Sequence, residues 1–155
     1  MDIDPGDLES INDMRLAAAG DAAAQYRLSC RARQLVLAGE CDEIIGSVEG
    51  VSYARLAAAQ GLPDALLLIA EHCGHLANVY YECGATEAGD SWHAQVIAIL
   101  ELSAELLPGP SSYELTQALN VAADEASPDI MEEAKMLRDL FAPLFAPNAQ
   151  TATYA

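Results

Sequence analysis

Leu16-Ala17-Ala18-Ala19-Gly20-Asp21 leads into Ala24-Gln25-Tyr26-Arg27-Leu28, and Leu56-Ala57-Ala58-Ala59-Gln60-Gly61 leads into Ala65-Leu66-Leu67-Leu68-Ile69. Laying Gly20 on Gly61 gives an offset of 41 residues and puts Ala24 on Ala65 and Leu28 on Ile69. A weaker copy, Ala122-Ala123-Asp124-Glu125-Ala126-Ser127-Pro128-Asp129-Ile130, echoes Leu62-Pro63-Asp64-Ala65. Self-similarity at such a period constrains the fold strongly, because each unit leaves an apolar face that only its neighbour covers. Small residues at the elbow let the two helices of a unit approach closely.

The chain has 30 alanines among its 155 residues, and alternating β-branched runs are missing. Alanine has the best helix propensity and loses no side-chain entropy, so the expected fold class is all-α. Helices are expected over about 6–19, 22–38, 47–60, 63–82, 90–107, 111–125 and from 127, seven in all. Gly20, Gly39 and Gly61 are read as stops, Asp21 and the Ser111/Glu114 capping box as starts, and Pro108-Gly109-Pro110 as a break. Cys41 to Gly46 reads as a connecting turn, Cys83 to Gly89 as a linker, and Gly74 as a weak point in the fourth helix. Residues 1–142 are read as one domain and 143–155 as a weakly ordered tail, since two prolines and a polar end follow Ala142.

The repeated segments resemble the Sel-one-like repeat, a relative of the tetratricopeptide repeat, over about residues 9–72. The stretch Gly20-Asp21-Ala22-Ala23-Ala24-Gln25-Tyr26-Arg27-Leu28 is similar to the start of that family's first helix. Gly50, where the family usually has Ala, Tyr53, where Trp is common, and Ile69-Ala70, in place of Leu-Gly, depart from its pattern. The resemblance implies a short right-handed α-solenoid of paired helices. It also implies a non-enzymatic adaptor or scaffold that binds a peptide or helix in a concave groove lined by the first helix of each pair. On that basis Gln25, Arg27, Arg31, His72, His75 and Asn78 are the first candidates for partner contact.

Acids outnumber bases 24 to 7, a formal charge of −17. Phosphate neutralisation needs clustered Lys and Arg, so nucleic acid and anionic membrane are not expected partners. No Lys or Arg occurs from Leu56 to Ala134, while 13 acids fall there. A field of that sign steers a basic partner in. Tyr81 and Tyr113 lie inside this region and join the candidate contact residues, because aromatic side chains are enriched at binding surfaces. Two other functions fit the charge: an acidic inhibitor or immunity protein masking a basic toxin or nuclease surface, and a secretion chaperone.

Chemistry finds little support. His72, His75 and Cys83 are the best metal-ligand set, but their spacing matches no zinc signature. Glu132-Glu133 and Asp42-Glu43 are adjacent pairs whose side chains diverge on a helix. No serine sits in a Gly-x-Ser-x-Gly turn and no glycine-rich phosphate loop occurs, so neither catalysis nor a cofactor is expected. Cys30, Cys41, Cys73 and Cys83 are spaced as two near-repeated pairs, compatible with one disulfide per unit or with four free thiols. The acidic start carries no apolar run, which predicts a cytoplasmic location unless a leader has been removed.

Overall fold

At the first elbow, Gly20 and Asp21 do opposite jobs. Gly20 adopts φ +97, and the Ala17 and Leu16 carbonyls accept from the Gly20 and Asp21 amides, which closes the end of one helix. The Asp21 carboxylate then accepts from the Ala24 amide at 2.8 Å and opens the next. Gly61, at φ +91, repeats the closure, with the Ala58 and Ala57 carbonyls accepting from Gly61 and Leu62. Local chemistry of this kind sets the helix count.

The computed structural model describes residues 4–107 and 111–145, and among them the secondary structure is entirely helical. The helices are α1 (Pro5–Ala18), α2 (Ala22–Leu37), α3 (Glu43–Ala59), α4 (Asp64–Glu82), α5 (Thr86–Leu106), α6 (Ser111–Asp124) and α7 (Pro128–Phe145). No helix of the described residues is long and apolar enough to cross a membrane. The break read at 108–110, the capping side chain of Ser111 and residues 146–155 of the tail lie outside the described residues.

Three boundaries differ from the sequence reading. α3 begins at Glu43, because the Asp42 carboxylate accepts from the Ile44 and Ile45 amides at 3.0 and 2.9 Å. Gly46 is therefore helical and buried; a Cβ there would sit 2.7 Å from Cys41 Sγ and 2.8 Å from Val36 Cγ2. α5 begins at Thr86 without any side-chain cap, so neither Asp90 nor Ser91 starts it. α4 passes through Gly74 unbroken, and α7 runs through Pro143 to the buried Phe145.

Consecutive helices pack in turn from α1 to α5, and α5 carries both α6 and α7. Contacts such as Tyr81 with Asp90 and Cys73 with Gln95 run in opposite directions along α4 and α5, making that pair antiparallel. The main core lies where α3, α4 and α5 meet, filled by Val51, Leu66, Ile69, Leu76, Ile99 and Leu102. A second cluster joins α5 to α7 through Ile97, Ala94, Ile130 and Ala134. The far end of α7 reaches α3, where the Arg55 guanidinium lies 5.8 Å from the Phe141 ring centroid and also donates to Gln95. Arg138 fastens the same helix to α5 through Glu101, at 2.9 Å, and Glu105. Held on α5 and α3, α7 leaves the opposite side of α5 open.

Candidate functional site

That open side is a cleft of about 670 Å³ between α4 and α6, floored by α5. Val96 and Leu100 form its floor. Leu67, Ala70, Gly74 and Ala77 make one wall, and Leu115, Ala118, Val121 and Ala122 the other. Asn78 and Tyr81 sit on the rim, with the carboxylates of Glu71, Glu114 and Glu125. Its volume lies in the range of ligand sites, and its lining is apolar with a few polar groups, the usual make-up of such a site.

The walls stay apart for a local reason. The His93 ring holds the C-terminal part of α6 through a 2.8 Å contact between Nε2 and the Ala122 carbonyl. On the other side the Tyr81 hydroxyl donates to Asp90 Oδ1 at 2.6 Å, bracing the end of α4 against the start of α5. Burial, then the hydrogen bond to Asp90, raises the Tyr81 hydroxyl well above the ordinary tyrosine range, so it stays protonated and donates to Asp90. Gly89 is the seat for this ring; a Cβ there would come within 2.6 Å of it.

Of the residues singled out from the sequence, Asn78 and Tyr81 line the cleft. The others do not meet there. Gln25 is buried between α1 and α3, donating to the Ala17 carbonyl at 3.1 Å and accepting from Gln60 at 2.6 Å. Arg27 makes a forked ion pair with Asp13 on α1, which holds that carboxyl below its ordinary value. Arg31 lies 4.0 Å from Asp7 and faces a small hollow of about 150 Å³ between α1, α2 and α3. Tyr113 is exposed, its hydroxyl accepting from Gln117.

His72 is fully buried, pressed against α2 and α3. Ser29 Oγ donates to the Gly50 carbonyl at 2.8 Å, so His72 Nε2, 3.1 Å from the Ser29 carbonyl, is the nitrogen that carries the proton and donates. His72 Nδ1 has no partner among the described residues. Ser29 and His72 are both fully buried and line neither cavity. Only glycine fits at position 50 beside the His72 ring: a Cβ there would come within 2.3 Å of it.

His75 faces Glu43 at 3.6 Å, and Cys83 is exposed at the C-terminal cap of α4, so the suggested metal set does not converge. Among the described residues no group of three or more His, Cys, Asp or Glu side chains is placed to hold a metal ion. All four thiols are free; Cys73 is buried and its thiol pushed up to about 12 by desolvation.

The α5 floor and the α6 wall were missed from sequence. The α2 residues expected to line a groove, Gln25, Arg27 and Arg31, face α1 and α3 instead. The available signal was on α6, where Ala118, Val121 and Ala122 give it an apolar side beyond that of Leu115 and Leu119. Val121 is 58% exposed, an apolar side chain facing an open cleft. Comparison with family models, with curated proteins and with solved structures finds no match.

Proposed function

We propose that the chain is a non-enzymatic docking module that holds a peptide or helix of another protein in the α4–α6 cleft, in the manner of a Sel-one-like helical repeat. One observation carries the reading: a roomy apolar trough whose floor and walls belong to three different helices. Exposed apolar surface of this kind marks interaction sites on soluble domains. Gly74 supports it. Glycine inside a helix costs about 1 kcal/mol relative to alanine, and a Cβ at 74 would meet only Val96, at an ordinary 3.9 Å. The backbone is bare on the wall of the cleft without a packing need.

Ala118 is exposed on the opposite wall, so Ala118→Trp fills the trough without disturbing the core. Affinity purification from the cells that make the protein, with wild type and Ala118→Trp side by side, tests the reading. At least one protein is expected with wild type and lost with the variant; identical recovery by both would remove the cleft from the function.

The base-free stretch from Leu56 to Ala134 favours a second reading, an inhibitor covering a basic toxin or nuclease surface. Its partner would be retained by Ala118→Trp and released by salt.

A further inference from the structure

We infer that the occupant of the cleft is an amphipathic helix with Lys or Arg flanking its apolar stripe; this rests on the docking reading above. Three observations lead to it.

The first is length. Lining residues run from Leu67 to Tyr81 on α4 and from Glu114 on α6 to Glu125 just past its end. At about 1.5 Å per residue these walls are about 21 and 16 Å long, enough for three to four helical turns.

The second is the character of the walls. Ala70, Gly74 and Ala77 on one side, with Ala118 and Ala122 on the other, admit close approach of another backbone. An extended peptide would bring a row of unpaired amides and carbonyls against these apolar surfaces, where the polar lining is confined to Asn78, Tyr81, His93 and the carboxylates of Glu71, Glu114 and Glu125. A helix satisfies its own backbone and needs only side chains at i, i+3, i+4 and i+7 to fill the trough.

The third is charge. Both α4 and α6 run antiparallel to α5, so Glu71 and Glu114 flank one end of the trough and Glu125 the other. Glu114 and Glu125 have no ion-pair partner among the described residues, Glu71 shares Arg33 at 3.2 Å, and neither Lys nor Arg lines the cleft. An apolar stripe bounded by cations complements that pattern at both ends.

The test uses the full chain and three synthetic helical peptides of about 18 residues, about five turns. They share one Leu/Ala stripe and carry Lys, Gln or Glu at the flanks. Fluorescence anisotropy should rank them Lys above Gln above Glu, with the Lys peptide about tenfold tighter than the Gln peptide at low salt. The variant Glu71→Gln/Glu114→Gln/Glu125→Gln should remove that advantage. Glu9→Gln/Glu40→Gln/Glu132→Gln changes net charge equally on exposed sites away from the cleft and should leave the advantage intact. Equal loss in both triple variants would reduce the preference to the general field of the molecule and overturn the inference. Lys and Gln peptides bound equally well, and both blocked by Ala118→Trp, would overturn the charge claim and leave the docking reading standing. Binding by none of the peptides would overturn the helical occupant, while the capture experiment decides the docking reading separately. Self-association in light scattering that Ala118→Trp abolishes would give the cleft to a second copy instead.

Discussion

His72 is a basic side chain placed where its charged form is disfavoured. Burial lowers its pKa, the hydrogen bond with the Ser29 backbone opposes this, and the neighbouring Arg33 and His75 side chains lower it further. The folded value therefore lies below the unfolded value of about 6.5. Above that pH the ring is neutral in both states and its packing counts in full. As pH falls below it, the unfolded chain binds the proton first and stability is lost. Wild type should lose more urea resistance between pH 7.5 and 5.5 than His72→Gln, whose amide nitrogen can still donate to the Ser29 carbonyl. Easing of the general carboxylate repulsion acts equally on both proteins, so the difference isolates the ring. Parallel curves would mean His72 titrates normally. Gly74 gives a second check at this scale. Gly74→Ala should raise stability by about 0.5–1 kcal/mol in urea unfolding, because the added methyl meets only ordinary contact while the unfolded chain loses freedom. Destabilisation would show that the wall is already full. Neither role was visible in the sequence. His72 and Gln25 read as surface candidates because helical spacing tells which residues share a face, not which neighbour covers that face. Asn78 and Tyr81 were legible because they lie where α4 stays uncovered.

Helices were legible where a side chain or a glycine marks the end, and misplaced where packing does that work. Gly20, Asp21, Gly39 and Gly61 act within a few residues of the turns they make, so they could be read directly. Gly46 and Gly89 looked like breakers but are helical; the space left by their missing side chains is taken by Val36 and Cys41, and by Tyr81. That is tertiary information. The same contrast governs α7, where the weakly docked or frayed tail expected after Ala142 gives way, as far as the described residues run, to a helix that continues to a buried Phe145. Phe145 is 7% exposed, and its ring lies 5.6 Å from that of Phe141, which carries the Arg55 guanidinium. Phe145→Ala should cost about 3 kcal/mol in urea unfolding, the usual penalty for emptying a buried aromatic site. Leu144→Ala, at an exposed neighbouring position, should cost less than about 0.5 kcal/mol. Equal small effects would mean that this last turn contributes nothing to the fold.

On the scale of the whole molecule, two electrostatic effects oppose each other. Arg27 with Asp13, Arg33 with Glu71, and Arg138 with Glu101 and Glu105 are attractive contacts that salt weakens. All are partly exposed, and pairs of that kind contribute about 0–1 kcal/mol each. Against them stands a formal charge of −17 on 155 residues, with 13 acids and no base between Leu56 and Ala134. Such an excess repels itself more strongly in the folded chain than in the expanded one, so the native state is the one that added ions relieve. The Debye length falls from about 30 Å at 0.01 M salt to about 8 Å at 0.15 M, short enough to screen one helix's carboxylates from those across the domain. Repulsion sums over many distant pairs, whereas the ion pairs are few and close, and screening removes long-range terms first. The melting temperature at neutral pH should therefore rise with sodium chloride over this range, by about 3 °C if the relief is about 1 kcal/mol. A melting temperature that falls instead would show the arginine pairs outweighing the surplus carboxylates.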